Sequence, residues 1–258
     1  SWRSAPIAKR ESVDMKLTPK VNIIFRFHRR RYGTRRIAST LADQGEVVGR
    51  RRVAKIMKSQ GLIAIQPKSF KPRGTESRHR LGYSPNLLLD ACEVTSINKL
   101  WVGDITYIPI AEIRFGYLAI LMDRYSRRVV GWKLGDDMTE TLVLDAMRMA
   151  ITSRSSTIGL IHHSDRGGQY AGKSYRGVLR RARIRQSMSR ADNCYDNAFM
   201  ESCFGTLKKE LEIVEYTNMR IATNEISGYL NYYNVDRKHS SLNYLTPKQF
   251  ESIQLSLN

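Results

Sequence analysis

Cysteine is scarce in this sequence, and its arrangement argues against a zinc-binding module. The three cysteines, Cys92, Cys194 and Cys203, form no CxxC pair and leave an odd number. A structural zinc site needs four clustered Cys or His ligands, which the sequence does not offer. Thiols without a pairing pattern are typical of a reducing compartment, so we expect reduced cysteines in a cytoplasmic protein.

Long apolar segments are also absent. No run of about 18 uncharged apolar residues occurs, so we expect no membrane span. The start of the chain, SWRSAPIAKRES, lacks the apolar stretch of a signal peptide and has no initiator Met, which suggests a piece of a longer product. The hydrophobic fraction of 41% is nevertheless large enough for a folded core.

Acidic residues are rare in the amino-terminal third. Residues 1–80 hold 21 Lys and Arg against five Asp and Glu, and they carry most of the formal net charge of +19. A basic segment joined to a nearly neutral body indicates a polyanion-binding module. Nucleic acid is the favoured polyanion, because neutralisation of phosphates by Lys and Arg dominates such binding. The alternative is a solvated basic tail, against which the apolar periodicity of this segment argues.

That periodicity is helical. TPKVNIIFRFHRR predicts a helix that begins at Thr18 with Pro19 in its first turn. TRRIASTLADQG and VGRRRVAKIMKSQG predict two further helices joined by QGEVV. A pair of short helices with arginines at the start of the second matches the helix-turn-helix pattern, although a plain helical bundle would match it too. The predicted DNA contacts of this region are Arg35, Arg36, Arg50, Arg51, Arg52 and Lys55.

The next stretch, QPKSFKPRGTESRHRLGYSPN, has no periodicity. Its prolines, glycines and basic residues predict an extended linker able to lie along a phosphate backbone, with Lys71 and Arg73 as DNA contacts.

From residue 99 the pattern changes to β-rich runs. LWVGDITYIPI, FGYLAILMD and RRVVGWKLG predict an antiparallel meander of three strands. A helix at 139–154, a strand in TIGLIHHSD, a helix near 173–182, a strand in RQSMS and a helix at 196–213 follow. This order predicts a mixed α/β domain with Asp104 and Asp165 near the ends of the sheet.

Three acids lie where an acid is unusual. Asp104 interrupts an apolar strand, Asp165 follows a buried strand, and Glu201 lies on a helix. One such acid is readily explained by a neighbouring cation such as Arg166 or Lys208, because buried carboxylates are usually paired. Three together favour a shared site for Mg²⁺, which carboxylates and substrate phosphates hold. Two such ions about 3.5–4 Å apart support in-line phosphoryl displacement.

The spacing of these acids and the segments around them match a known family. Glu201 follows Asp165 with 35 residues between them, which resembles the Asp, Asp, 35-residue gap, Glu arrangement of DDE transposases and retroviral integrases. The segments LWVGDITYI, GYLAILMDRYSRRVVGW, HHSDRGGQY, SMSRADNCYDNAFMES and LKKE are similar to the catalytic core of bacterial insertion-sequence transposases of the IS-three family. So is the tail YLNYYNVDRKHSSLNYLTPKQF.

The resemblance implies a fold and a catalytic site. The implied fold is α/β and RNase H-like, a mixed five-stranded sheet with flanking helices, preceded by a small all-α helix-turn-helix domain. Asp104, Asp165 and Glu201 would be the catalytic acids and the ligands of two Mg²⁺ ions, for which Mn²⁺ can substitute. The predicted domains are a helix-turn-helix region at 1–64, a basic linker at 65–98, a catalytic core at 99–215 and a helical tail at 216–258.

The resemblance also implies further DNA contacts. Lys208 and Lys209 match the lysines of LKKE, and Lys208 lies two helical turns after Glu201 on the same face, where a cation can bind substrate phosphate. A solvated helix lysine would also explain it. Arg166 adjoins Asp165 and is a predicted contact. Arg237 and His239 match the tail motif, for which DNA contact and packing both stay open.

Three other residues receive structural interpretations. His162 and His163 are expected to pack or to form hydrogen bonds, because Mg²⁺ prefers oxygen ligands. Asp123 closes a strand beside RYSRR, and we expect it to be paired with an arginine.

The predicted function is DNA transposition in the bacterial cytoplasm, at the nucleoid. Metal-dependent cleavage would free a 3′-hydroxyl, which would attack a second phosphodiester without a covalent protein–DNA intermediate. The predicted partners are double-stranded DNA, as transposon ends and target, and at least one further copy of the chain. Family members usually carry a further helix-turn-helix and a leucine zipper, so part of end recognition is expected outside this chain. The alternatives are a nuclease that cuts without joining and a non-enzymatic DNA-binding regulator.

Overall fold

The computed structural model describes residues 9–65, 82–88, 94–154, 156–189, 198–213 and 215–256. The chain divides into two compact units, Ser1–Lys68 and Ser69–Asn258. Most of the predicted linker, including Lys71 and Arg73, lies outside the described residues, and so do Cys92 and Cys194.

The first unit contains three helices around one small core. They are α1 (Lys9–Phe27), α2 (Thr34–Asp43) and α3 (Arg50–Ser59). The buried apolar residues of all three pack together, among them Val21, Phe25, Ile37, Leu41 and Val53. Gly45 and Gly61 follow α2 and α3 with φ of 81° and 63°. Glycine ends a helix in this left-handed conformation without a Cβ clash.

The predicted start of the first helix at Thr18 is wrong. Helix α1 begins at Lys9 and continues through Pro19. The Thr18 hydroxyl donates to the carbonyl of Asp14, one turn earlier, at 2.7 Å, so it bonds within the helix instead of capping it. Leu17 and Val21 flank Pro19 and are buried in the core, and this tertiary burial outweighs the local preference of proline for a helix start.

The second unit is built on a mixed five-stranded sheet, as predicted. Its strands are β1 (Leu100–Ile110), β2 (Arg114–Asp123), β3 (Val129–Gly135), β4 (Ile161–Ser164) and β5 (Arg185–Met188). Their order is β3-β2-β1-β4-β5. The pairs β1–β2 and β2–β3 are antiparallel, which confirms the meander, and β1–β4 and β4–β5 are parallel.

Helices flank this sheet. They are α4 (Glu140–Thr152), α5 (Gly168–Ala171), α6 (Lys173–Arg181), α7 (Ala198–Glu210), α8 (Met219–Val235) and α9 (Pro247–Ser256), with a short 3₁₀ turn at Ser240–Leu242. Successive residues of a strand point to opposite faces, so β1 contributes to two cores. Val102 and Ile108 pack with α7 and α8 on one face, whereas Trp101 packs with α4 and α6 on the other. The sheet is thereby covered on both faces.

Two further observations concern membrane spans and cysteine. In the part of the chain that the structure describes, no helix combines the length and apolarity needed to cross a bilayer. Cys203 is a buried free thiol on α7.

Candidate active site

Asp104 and Asp165 lie side by side at the junction of two parallel strands. The last paired position of β1 and β4 joins Val102 to His163. Continuing this register by two residues brings Asp104 opposite Asp165. Adjacent strands are about 4.8 Å apart, and residues in parallel register share a face of the sheet. Both side chains are half-exposed, so the two carboxylates form a solvent-accessible acidic pair.

The loop after β4 holds the Asp165 carboxylate by its own backbone. Oδ1 of Asp165 accepts a hydrogen bond from the Gly167 amide at 2.9 Å. A Cβ atom at Gly167 would lie 3.0 Å from the same oxygen. Gly167 has an ordinary φ of −59°, so its lack of a side chain makes room for the carboxylate instead of permitting an unusual turn.

Glu201 lies in the first turn of α7, which covers the same face of the sheet. Met200, Phe204 and Leu207 of this helix are buried in the core that also contains Val102 of β1. Glu201 itself is half-exposed. Burial raises the pKa of Cys203, two residues further along, to about 12, and the negative charge of Asp104 contributes to the rise. Asp104 is therefore within electrostatic reach of this turn of α7.

Tyr170, which the sequence offers as a candidate nucleophile, lies within electrostatic range of the acidic pair. It is 3% exposed and lies on α5, five residues after Asp165. Burial raises the pKa of Tyr170 well above its ordinary value, and the charges of Asp104 and Asp165 raise it further. The charges of both acids therefore affect the same side chain. Tyr170 ends the segment HHSDRGGQY, which also contains Asp165.

The donor set fits Mg²⁺ in its chemistry. Carboxylate oxygens are the ligands that this ion prefers, and half-exposed acids leave room for water and substrate phosphate. Within the described ranges, however, no three His, Cys, Asp or Glu side chains are grouped closely enough to hold a metal ion. The fold brings Asp104 and Asp165 together and lays the helix of Glu201 over the same face, without enclosing a cation.

The two histidines form hydrogen bonds inside the protein, as expected. His162 Nε2 lies 2.8 Å from the Tyr175 hydroxyl, and His163 Nδ1 lies 2.8 Å from the Ser187 hydroxyl. Both imidazoles are buried. Burial lowers the pKa of His162 to about 3, and the neighbouring His163 adds to the effect. A neutral, hydrogen-bonded ring supports the strand below the acids.

The cations predicted beside the acids, Arg166, Lys208 and Lys209, are all half-buried. Arg166 Nε donates to the Ser189 carbonyl at 2.8 Å, and its guanidinium lies 4.8 Å from the centroid of the Tyr83 ring. Lys208 and Lys209 lie in the last turn of α7. Burial lowers the pKa of Lys208. Their contacts with DNA stay predictions.

Arg237 is 5% exposed and is paired inside the second unit. Its guanidinium donates to both carboxylate oxygens of Glu210, with distances of 2.7–3.0 Å. His239 lies 3.1 Å from Arg237 Nη1 and packs edge-on against Tyr233. This burial favours packing over DNA contact for Arg237. The pair ties the tail to the last residue of α7, the helix of Glu201.

Asp123 is structural, as predicted, but its hydrogen-bond donors are not an arginine side chain. The fully buried carboxylate accepts bonds from the backbone amides of Asn98, Tyr125 and Ser126 at 2.7–3.0 Å. Burial raises the pKa of Asp123, and these hydrogen bonds oppose the rise. Three amides fix the turn between β2 and β3.

The predicted DNA contacts of the first unit differ in exposure. Four of them are exposed to solvent: Arg35, Arg50, Arg51 and Lys55. Arg52 and Lys55 pair with Asp14 at 2.6 and 3.6 Å, and the hydrogen bond from Arg52 lowers the pKa of Asp14. The Arg36 guanidinium lies over the Tyr32 ring. The exposed arginines are therefore the ones presented for an external phosphate.

Comparison with protein families gives three matches along the chain. Residues 12–70 match an HTH-like domain, and residues 95–194 match the integrase core domain. Residues 182–247 match a second integrase core domain description.

Similar proteins cover nearly the whole chain. The transposase for insertion sequence element IS904 of Lactococcus lactis is 39% identical over 237 residues, 91% of this chain and 93% of the relative. The IS600 31 kDa protein of Shigella sonnei is 38% identical over 252 residues, 97% and 92% of the two chains. Transposase InsF for insertion sequence IS3A of Escherichia coli is 35% identical over 256 residues, 98% and 88%.

A solved structure shares the fold. A chain of the simian T-cell lymphotropic virus intasome, determined in complex with PP2A regulatory subunit B56 gamma, has a TM-score of 0.50 and 18% sequence identity. The match covers 90% of this chain and 74% of that chain.

Proposed function

The chain belongs to the IS-three family of insertion-sequence transposases with an integrase core domain, and we propose that it cuts and joins DNA strands at insertion-sequence ends by metal-dependent phosphoryl transfer. The observation that carries this proposal is the acidic pair. Asp104 and Asp165 meet on one face of the sheet, beneath the helix of Glu201. Metal ions held by such an acidic pair can stabilise the negative charge that develops on phosphate oxygens during the reaction.

In this proposal Asp104, Asp165 and Glu201 hold the metal. When bound, two Mg²⁺ ions supply Lewis-acid stabilisation of the attacking and leaving oxygens of an in-line displacement, a role open to Mn²⁺ as well. The acids remain half-exposed so that a phosphodiester can reach them. Arg166 and Lys208 offset the charge of that phosphate from the flanks, and Lys209 extends the cationic surface.

The proposed reaction has two steps. Water attacks the phosphorus at the transposon end, the bond to the 3′ oxygen breaks, and a 3′-hydroxyl is released. That hydroxyl then attacks a second phosphodiester, forming one phosphorus–oxygen bond as another breaks. The hydrolysis removes one phosphodiester and leaves a 5′-phosphate beside the 3′-hydroxyl. The second step exchanges one phosphodiester for another, so no protein nucleophile is needed.

The hydroxyl side chains that could serve as protein nucleophiles near the acids are poorly placed for attack. Ser164 is fully buried, and its hydroxyl donates to the carbonyl of Asp165. Tyr170 is buried and its pKa is raised, which keeps the phenol protonated and a weak nucleophile. Tyr107 is exposed, but it lies three residues beyond Asp104 on the opposite face of β1. A covalent serine or tyrosine mechanism is therefore disfavoured.

DNA is the proposed partner of both units. The exposed arginines of α2 and α3 would contact phosphates of the transposon end, and the second unit would bind the scissile strand. Because two ends must be held together for joining, the active form is proposed to be at least a dimer, working on DNA in the bacterial cytoplasm.

Asp165→Asn tests the catalytic assignment. The change removes one negative charge but keeps the side-chain shape, so we expect strand cleavage to fall about 100-fold or more, the kinetic equivalent of a few kcal/mol of lost transition-state stabilisation. Binding of the same DNA should change little. The measurement is cleavage and joining of labelled end DNA in the presence of Mg²⁺.

Asp136→Asn is the matched control, because Asp136 is exposed and outside the acidic pair. It should cut and join like the unmodified chain. A variant at Asp165 that cuts at the normal rate would refute the assignment. Cut strands without joined products from the unmodified chain would favour the nuclease alternative, and binding without any cleavage would favour the regulator.

A further inference from the structure

Two arginines converge on one aromatic ring at the start of α7. The guanidinium carbons of Arg124 and Arg127 lie 4.5 and 4.0 Å from the centroid of the Phe199 ring. Phe199 precedes Glu201 by two residues. Both arginines are half-buried and belong to the turn between β2 and β3. The reaction proposed above uses neither of them.

The turn that carries these arginines is firmly held. Asp123 accepts hydrogen bonds from the amides of Tyr125 and Ser126 within the turn, and the Arg127 amide donates to the Asp123 carbonyl at 2.9 Å. The Arg124 amide donates to the carbonyl of Leu100 at 2.9 Å, which joins the turn to the start of β1. The positions of both guanidinium groups are thereby defined before any ligand binds.

These two arginines differ from neighbouring arginines in their ion pairing. Arg128 and Arg154 both pair with the buried carboxylate of Glu251, at 2.6 and 2.7 Å. Over the described part of the chain, no carboxylate forms an ion pair with Arg124 or Arg127. Burial, together with the charge of Arg124, lowers the pKa of Arg127 to about 10. Two partly desolvated like charges held together are costly unless an anion joins them.

We infer that Arg124 and Arg127 form a clamp for one DNA phosphate, which positions the substrate strand beside the catalytic acids. The inference rests on the proposed function, because the anion it names is a phosphodiester of the DNA being cut. Guanidinium groups suit this ligand, since their planar set of donors matches phosphate oxygens. Phe199 supplies the flat surface that orients both groups.

The register of the sheet gives the place of this phosphate on the strand. Asp123, the residue before Arg124, is opposite Trp101, and Trp101 is three residues from Asp104. At about 3.4 Å per residue the clamp begins about 10 Å from Asp104 along the strand. The clamped phosphate is therefore a near neighbour of the scissile one on the same strand.

The competing interpretation is purely structural. In that case the two arginines would only fasten α7 through Phe199, and their loss would affect stability without changing how DNA is read. Phe199→Leu partly distinguishes phosphate binding from fastening of α7, because it removes the aromatic ring and keeps both positive charges.

The test uses the full chain and a duplex with the DNA ends that flank its own gene. The R124Q/R127Q double variant is compared with R148Q, which removes one charge from an exposed arginine on α4. Binding is measured without catalysis, in Ca²⁺, as a function of salt. We expect the double variant to bind about tenfold or more weakly, the factor that charge-assisted hydrogen bonds contribute. The slope of log K against log salt should fall by about 0.9, for one phosphate. R148Q should show neither effect.

Neutral methylphosphonate substitutions then locate the contact. When the phosphates next to the scissile one are replaced singly, one position should weaken binding by the unmodified chain and leave the double variant unaffected. Phe199→Leu should weaken binding but retain sensitivity at that position.

The inference is overturned if every methylphosphonate substitution weakens binding by the double variant as much as binding by the unmodified chain. It is also overturned if the double variant unfolds at a lower temperature while the salt slope of its DNA binding is unchanged. Failure of the proposed function gives a different result: the unmodified chain would bind the duplex, show the methylphosphonate pattern and leave the strand uncut in Mg²⁺.

Discussion

At the scale of single residues, one buried imidazole makes the stability of the catalytic unit depend on pH. His162 is fully buried beside the strand of Asp104, and its pKa is lowered to about 3 by burial. In the unfolded chain a histidine takes up its proton near pH 6.5. Between these two values the unfolded chain binds more protons than the folded one. Stability contributed by this residue is therefore present above pH 6.5 and is lost as the pH falls towards 3.

His162→Phe should remove this dependence. Between pH 7 and pH 5 the residue is expected to lower the free energy of unfolding by about 2 kcal/mol in the unmodified chain, and the variant should lack that loss. Urea unfolding at the two pH values, followed by the fluorescence of Trp101 and Trp132, measures the difference.

Tyr175→Phe is the control for this experiment, because it removes the hydrogen bond to His162 and keeps the histidine. Its absolute stability should fall while the pH dependence persists. Equal losses between pH 7 and pH 5 in the unmodified chain and in His162→Phe would contradict the assignment.

Residues of the site differ in how far a sequence can predict them. Asp104 and Asp165 stand out because each interrupts or follows an apolar run, which is a local signal. Arg237 gives an ambiguous signal, because a basic residue in a polar tail segment is compatible with both DNA contact and packing. Its burial depends on Glu210, 27 residues earlier in the chain. No local pattern reports such a partner, and none reports that Arg124 and Arg127 meet at Phe199.

At the scale of elements, close packing between β3 and α4 depends on a missing side chain. A Cβ atom at Gly131 would collide with the carbonyl oxygen of Ala146 and lie 2.8 Å from Cβ of Ala150. Both neighbours belong to α4, and one of them is backbone. The helix can therefore approach the sheet only while residue 131 is glycine.

Gly131→Ala should destabilise the second unit by about 1–3 kcal/mol, because the helix must move away from the strand. Gly228→Ala is the matched control, since a Cβ at Gly228 on α8 meets nothing within 4 Å. Removing glycine flexibility there should stabilise the unit by about 0.5–1 kcal/mol. Urea unfolding compares the two variants, and a neutral or stabilising Gly131→Ala would refute the packing argument.

The longer elements of the fold were predictable because each has its own periodic pattern. The meander of β1, β2 and β3 follows from apolar runs bounded by polar turns, and α4 and α6 follow from their apolar stripes. Helix α5, Gly168–Ala171, was missed because a single turn has no measurable period. The parallel pairing of β4 with β1 was not evident from local patterns, since it joins segments about 60 residues apart.

At the scale of the whole molecule, positive charge is concentrated in the part of the sequence that contains the first unit. Salt should therefore control DNA binding more strongly through the first unit than through the second. Each phosphate neutralised adds about 0.9 to the salt dependence of log K. Arg35, Arg50 and Arg51 are exposed on α2 and α3 and are available for such contacts.

The triple variant R35Q/R50Q/R51Q should lower that slope by up to about 2.7 while leaving the second unit folded. Fluorescence anisotropy of labelled duplex across a salt series measures the change, with R148Q as the single-charge control from the second unit. A slope that does not change would remove the first unit from the role of phosphate-binding module.

The parallel pairing of β4 with β1 also sets an order of events during synthesis. The three-helix unit leaves the ribosome before Asp104, and Asp104 precedes Asp165 by 61 residues and Glu201 by 97. A polypeptide interrupted within that interval would possess the amino-terminal core and a partial sheet but an unfinished catalytic centre. If the first unit binds DNA as proposed, such fragments would occupy DNA without cutting it, and early termination would be a source of competitors to the complete protein.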